Sequence, residues 1–380
     1  MTGPLSGIRI VEIAGLGPGP FCGMMLADHG AEVIRIDRPG GQSLVGDPTR
    51  DLLNRSRTAV NIDLKQPAGV EAALRLIASA AGLIEGFRPG VMERLGLGPQ
   101  PALAANPRLV YGRMTGWGQE GPYAQAAGHD LNYIALSGVL DACGRADDKP
   151  TPPMNLLGDF GGGGMMLAFG MVAALLSART TGQGQVVDCA MTDGSAVLAT
   201  MIWSLRASKR WQDKRGSNFL DTGAHYYECY ETADGKHIAI APVEPQFYKE
   251  LIARLDLADD GDFVAQNDPR SWPRLKNKLE ALFRTKTRAQ WCEVLEYSDA
   301  CFAPVLSMDE APAHPHNEAR GTFVTVDGVV QPAPAPRYSR TQTAVPQPMS
   351  KDPSQANRLW EEIGYSPAEL AQLRDVGVIA

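Results

Sequence analysis

Three short segments of this chain combine ionisable groups with small or apolar neighbours, the pattern a buried reaction site needs. The first is Gly128-His129-Asp130-Leu131-Asn132-Tyr133. The second is Asn155-Leu156-Leu157-Gly158-Asp159-Phe160, continued by Gly161 to Gly164. The third is Val243-Glu244-Pro245-Gln246-Phe247-Tyr248. An aspartate just before a helix is most simply an N-cap. Glycine, however, is a poor helix former, so a run of glycines in the first turn suggests backbone N–H groups left open to a ligand. A helix N-terminus offers unpaired donors and partial positive charge, and so suits a developing oxyanion. A carboxylate and an oxyanion site would then share one place. Taken singly, His129 also reads as a structural histidine, and Glu244, at a strand end before proline, as a solvated loop acid. Periodicity does not show that the three segments meet.

The elements that must position these groups follow a βαβ rhythm. Strand patterns at Ile8–Ala14, Ala31–Asp37, Ala59–Leu64, Gly82–Phe87 and Arg108–Met114 alternate with helical patterns at Phe21–His29 and Gln66–Ala80. Such alternation predicts a parallel sheet with helices on both faces. The middle is helical, with helices expected over Phe160–Arg179 and Asp193–Ala207. A polar stretch with little periodicity, residues 209–224, reads as a linker between a large domain beginning in residues 1–208 and a small α+β domain over 225–330. Within the latter, strands are expected at Tyr226–Glu231 and His237–Pro242, and helices at Gln246–Leu255, Trp272–Arg284 and Arg288–Tyr297. Residues 331–380 open with a Pro-rich extended run and end in one amphipathic helix over Asn357–Leu373, a return segment completing the large domain.

The first strand runs into Gly15-Leu16-Gly17-Pro18-Gly19-Pro20 and the second ends in Asp37, a pattern similar to a dinucleotide fingerprint. Pro20 stands where the third glycine belongs, and Pro18 removes another amide donor, so nicotinamide or flavin binding is not expected. The loop instead suits close backbone passage. The chain has 380 residues, 44% of them hydrophobic and 21% charged, with a formal charge of −7 that disfavours a nucleic-acid surface. Its six cysteines show no CxxC or zinc-type spacing, as expected for reduced thiols and no metal site. No basic stretch followed by an apolar run follows Met1. The end, Gly377 to Ala380, is no peroxisomal address, and no apolar run in the sequence reaches membrane-span length. A cytoplasmic protein without membrane partners is the expectation.

At these residues the chain resembles the α-methylacyl-CoA racemases of the family III coenzyme A transferase superfamily. The resemblance runs from about Leu5 to Pro348. It is carried by Gly128–Tyr133, by Pro153-Met154-Asn155-Leu156-Leu157-Gly158-Asp159-Phe160-Gly161-Gly162-Gly163, by Ile36-Asp37-Arg38-Pro39-Gly40, Asp63-Leu64-Lys65, Met114-Thr115-Gly116-Trp117-Gly118-Gln119 and by Glu244-Pro245-Gln246-Phe247-Tyr248. It implies an α/β fold, a Rossmann-like large domain with a smaller α+β domain, in an interlocked homodimer whose site lies between the large domain of one copy and the small domain of the other. It implies His129 and Asp159 as two acid/base groups, with Glu244 supporting His129. It also implies that Arg38, the stretch Asn61, Ile62, Asp63 and Leu64, and Arg94 contact coenzyme A, which enters as part of an acyl-CoA substrate rather than as a cofactor. Gly128, Asp130, Leu131, Asn132, Tyr133 and Asn155 complete the expected substrate contacts.

Racemisation next to a thioester needs a base within reach of the C–H, donors for the enolate oxygen, and a second group that returns a proton to the opposite face. The amide of Asp159 or its neighbours is the expected oxyanion donor. Arg55 and Arg57 read either as part of a basic coenzyme A surface or as solvated loop charges, and Met165, Met166, Met191 and Met201 as an acyl pocket or as helix packing. The related transferases use an aspartate matching Asp159 as a nucleophile but lack the His129 and Glu244 pattern. The alternative function is therefore acyl transfer through an aspartyl anhydride.

Overall fold

The computed structural model describes residues 2–40, 45–47 and 50–379; Met1 and Ala380, quoted above at the two ends, lie outside them. The strands are β1 (Arg9–Ile13), β2 (Glu32–Asp37), β3 (Arg57–Asn61), β4 (Gly82–Glu85), β5 (Val110–Thr115) and β6 (Gln185–Ala190). They form one parallel sheet in the order β3-β2-β1-β4-β5-β6. This is the Rossmann-like order, in which the topology reverses between β1 and β4, and ligand crevices open at the carboxyl ends of strands at such a point. The loop after β1, Ala14 to Gly17, begins there.

Side-chain alternation along the strands divides two cores. Val11, Ile34, Leu83 and Tyr111 pack on one face with Leu76 and Ile77 of α2 (Pro67–Ala78) and with Trp360 and Val378 from the C-terminal return. Ile10, Val33 and Val110 pack on the other face with Cys22 and Leu26 of α1 (Pro18–Asp28) and with Leu167 and Met171. Polar residues also lie inside. Glu12 of β1, fully buried, accepts from Arg35 Nη1 at 2.8 Å and from Arg57 Nε at 2.7 Å. Arg55 pairs with buried Asp28. Arg55 and Arg57 are thus neither solvated charges nor a coenzyme A surface; their guanidinium groups are committed to interior carboxylates.

The helix α3 (Asp130–Leu136) follows β5. A long helical segment then begins as a π-helix, Leu156–Met165, and continues as α4 (Met166–Thr181). The apolar segment is longer than the sequence suggested, since its glycines are helical. Leu156–Thr181 has the length and composition to cross a membrane, but Leu167, Met171, Ala174, Leu175 and Ala178 are spent on the sheet. The helix expected over Asp193–Ala207 is two, α5 (Met191–Leu198) and a second over Thr200–Ala207. The single C-terminal helix expected over Asn357–Leu373 is also two, Pro353–Glu362 and Pro367–Asp375. The break has local causes: Gly364 adopts φ 91°, Ser366 caps the next helix through the Glu369 amide, and Pro367 occupies its first turn.

The chain divides into two compact units. The first comprises Met1–Ser137, Met154–Leu198 and Pro315–Ala380; the second comprises Gly138–Pro153 and Ala199–His314. In the first, the C-terminal return closes the free edge of the sheet. Ser350 pairs with Thr58 of β3, and Ile379 pairs with Ile62 just beyond its end. In the second, an antiparallel sheet of Glu228–Glu231, His237–Ile240 and Phe302–Pro304 packs with Pro245–Arg254, Trp272–Phe283 and Arg288–Leu295 around Tyr230, Leu251, Leu279 and Trp291. Residues 209–224 lie within this unit. Gly138–Pro153 is bound into it by Arg145, whose two terminal nitrogens reach the Glu228 carboxylate at 2.7 and 2.9 Å.

Candidate active site

Asp159 sits in the first turn of the π-helix, half-buried. Asn155 Nδ2 donates to its Oδ2 at 2.9 Å. Burial raises the Asp159 carboxyl above the usual range, opposed by the Asn155 bond; nearby Asp130 raises it further, and His129 lowers it. His129 and Asp159 are thus close enough to interact, although they come from different elements. His129 is the exposed N-cap of α3, its backbone N–H bonded to Asn132 Oδ1 at 3.1 Å and its carbonyl accepting from the Asn132 amide at 2.8 Å.

Asp130 joins the two segments. Its Oδ1 accepts from the amides of Gly158 at 2.6 Å and Asp159 at 2.8 Å. The expected use of the Asp159 amide as oxyanion donor is therefore corrected, because that N–H already has an acceptor. The glycine run also has a different physical basis. A Cβ on Gly162 would meet Ser195 N of α5 at 2.6 Å, one on Gly163 would meet Met191 Cγ at 2.9 Å, and one on Gly164 would meet Pro18 O of α1 at 2.7 Å. These glycines let three helical segments approach closely rather than opening amides to a ligand.

Tyr133 is buried, with its ring edge-on to Trp117 at 4.8 Å, and its hydroxyl donates to the Gly128 carbonyl. Gly116 and Gly128 both lie against this ring, where a Cβ would collide. Tyr133 thus shapes the loop before His129. Leu131 is exposed beside it. The loop after β1 supplies a neighbour that sequence reasoning left unassigned. Gly17, at φ 66°, places its Cα so that an added Cβ would stand 3.3 Å from Asp159 Oδ2. The Gly-Leu-Gly-Pro motif was the available signal, since it predicted close passage but not of what.

The expected coenzyme A contacts differ in exposure. Arg38, directly after β2, and Arg94 are exposed. Asn61 ends β3, partly exposed. Ile62 has its side chain in the core and its amide bonded to the Asp37 carbonyl at 2.9 Å, and Leu64 packs against that core. Asp63 accepts from the Lys65 amide at 3.1 Å and from Gln66 Nε2 at 3.1 Å, stabilising the turn into α2. Of the methionines, Met191 is buried and Met166 packs on the core, whereas Met165 and Met201 are exposed. Glu244 belongs to the second unit, where it is the N-cap of Pro245–Arg254. Cys301, near it, has φ 51° and a thiol raised by burial, by Glu244 and by Asp299.

The alpha-methylacyl-CoA racemases of Mus musculus and Homo sapiens are each 44% identical to the chain, over 99% of its length and 97% of theirs. The crystal structure of a CAIB/BAIF family protein from Brucella suis superposes with a TM-score of 0.79 at 26% identity, covering 96% of this chain and all of that one. The model of CoA-transferase family III matches residues 5–355. The chain therefore belongs to CoA-transferase family III.

Proposed function

We propose that this protein is a 2-methylacyl-CoA racemase, interconverting the R and S thioesters by proton transfer through an enolate. The observation that carries the reading is the convergence of His129 and Asp159 through Asp130, in a chain 44% identical to racemases along nearly its whole length. In one direction the Asp159 carboxylate takes the α-proton, the C–H electron pair passes into the thioester as an enolate, and the His129 imidazolium returns a proton to the other face. In the reverse direction neutral imidazole is the base and the carboxylic acid is the donor. The raised pKa of Asp159 brings the carboxyl closer to imidazole, which lets the two groups exchange roles. Because the Asp159 amide is occupied, the donors proposed for the enolate oxygen are the amides of Asp130 and Leu131, which adjoin His129 and have no acceptor among the described residues. Glu244 is proposed to favour the imidazolium, and Arg38, Asn61 to Leu64 and Arg94 to bind the coenzyme A moiety.

A transferase acting through an Asp159 anhydride would need an acceptor acid and would leave the α-carbon untouched. The deciding experiment incubates a chiral 2-methylacyl-CoA in D₂O with no acceptor and follows α-deuterium incorporation and optical purity. Exchange with racemisation is expected; stereochemically unchanged thioester ends the reading.

We further propose a homodimer. Met165, at the end of the π-helix, and Phe169, Val172 and Leu176 of α4 form an exposed apolar stripe, with Phe169 72% and Leu176 67% exposed. Residues spaced in this way share one helix face. A second copy of the chain would cover it.

A further inference from the structure

We infer that the Asp130 side chain is a positioning group for racemisation: its buried carboxylate fastens the backbone of Asp159 and sets the charge beside the Asp159 carboxyl, without itself touching substrate. The inference rests on the racemase reading and adds a residue role to it. Three observations carry it. Asp130 is 5% exposed, although its chain neighbour His129 is exposed. One of its oxygens holds two consecutive amides, those of Gly158 and Asp159, at 2.6 and 2.8 Å. The other oxygen is buried and has no hydrogen-bond partner among the described residues.

The first oxygen explains geometry. The segment carrying Asp159 is tied to the residue after His129, so the two acid/base groups are fixed through one side chain instead of through two independent loops. Gly158 makes the tie possible, since a Cβ there would stand 2.5 Å from Asp130 Oδ1 and 3.2 Å from Ile134 Cγ2. The second oxygen explains charge. A carboxylate in a buried place, with one oxygen unpaired, keeps its field unscreened, and a like charge nearby disfavours ionisation of Asp159. With both oxygens enclosed, the side chain presents no face to a thioester, so a substrate contact at Asp130 is left to its backbone amide.

The test uses the full-length protein, with Asp130→Asn and Asp130→Ala compared with wild type. Racemisation of (R)- and (S)-2-methyloctanoyl-CoA is followed across pH, and the Asp159 carboxyl is titrated by ¹³C NMR of labelled aspartate, its signal assigned by loss in Asp159→Asn. Asparagine keeps an acceptor for the two amides but removes the charge. For Asp130→Asn, KM should stay within about twofold and kcat should fall by about tenfold or less. In the same variant the Asp159 titration should move down by about half a pH unit or more, and the pH profile with it. For Asp130→Ala, kcat should fall by about 100-fold with KM little changed, so that asparagine counts as the rescuing variant.

Three results would overturn the inference. One is a roughly tenfold rise in KM at unchanged kcat in Asp130→Asn, which would mark a substrate contact. Another is an Asp159 titration that does not move. The last is equal loss of activity in both variants. Failure of the racemase reading is separable: if wild type exchanges no α-deuterium, that reading falls, while the NMR titration in unliganded protein still decides whether Asp130 governs Asp159.

Discussion

Gly17 lies directly beneath the Asp159 carboxylate, close enough that one added methyl group would stand 3.3 Å from Oδ2. The relation joins the loop at the topological switch point of the sheet to the proposed acid/base group. It also gives the glycine and proline of that loop a structural role.

Substituting Gly17→Ala is therefore expected to act on catalysis more than on folding. At φ 66° and ψ −114°, outside the left-handed helical region, an alanine costs about 1–3 kcal/mol of backbone strain, and its methyl presses on the carboxylate. Racemase kcat should drop by about tenfold or more, with a modest fall in Tm. Unchanged kcat would show that the contact does not constrain Asp159.

Removing Arg57 should destabilise the first unit strongly. Its guanidinium and Glu12 are both fully buried and lie 2.7 Å apart. Breaking a buried pair from one side leaves a stranded charge and costs about 3–5 kcal/mol. Arg35 still faces Glu12, so Arg57→Ala should fall at the lower end of that range in urea unfolding. A loss no larger than that of a surface substitution would refute the assignment.

His225 predicts a pH dependence of stability in the second unit. It is fully buried, its Nε2 lies 2.8 Å from the Tyr248 hydroxyl, and its Nδ1 has no partner among the described residues. Burial, and then Lys276, push its pKa from the ordinary 6.5 down to about 4. Between those values the unfolded chain binds a proton that the fold refuses. Stability is complete above pH 6.5 and falls as pH drops toward 4, by up to about 1.4 kcal/mol per unit. Urea midpoints should show this slope in wild type, and His225→Gln should flatten it.

The stripe on α4 predicts oligomeric state. Replacing Phe169 and Leu176 by glutamate puts charge into a proposed apolar seam, so a dimer in light scattering should become a monomer. A wild-type mass of one chain would remove the proposal, and binding of the monomer to lipid vesicles would assign the face to a membrane instead.

Much of this was legible in the sequence, for definite reasons. Strands such as Ile8–Ala14 and Ala31–Asp37 are apolar runs bounded by turn residues, and buried parallel strands leave that signature. β6 was missed because Gln185–Ala190 lies at an edge with only its last residues buried, so its pattern is mixed. The splits at Ala199 and Gly364 escaped because helical periodicity continues across them. At the site, residue types identified His129 and Asp159, but what joins them did not show. Asp130 and Gly158 are 28 positions apart, and a hydrogen bond at that separation leaves no periodic trace. Likewise, the glycines after Asp159 read as open backbone until the helices pressed against them were seen.

The return of residues 315–379 to the first unit has a consequence for synthesis. β3 cannot acquire its C-terminal neighbour until Ser350 has left the ribosome, because Thr58 waits for Ser350, and Ile62, just beyond the strand, waits for Ile379. Through all of that time the nascent sheet carries a bare margin able to recruit strands from other chains. A truncation before Ser350 would therefore leave that margin open in every molecule made.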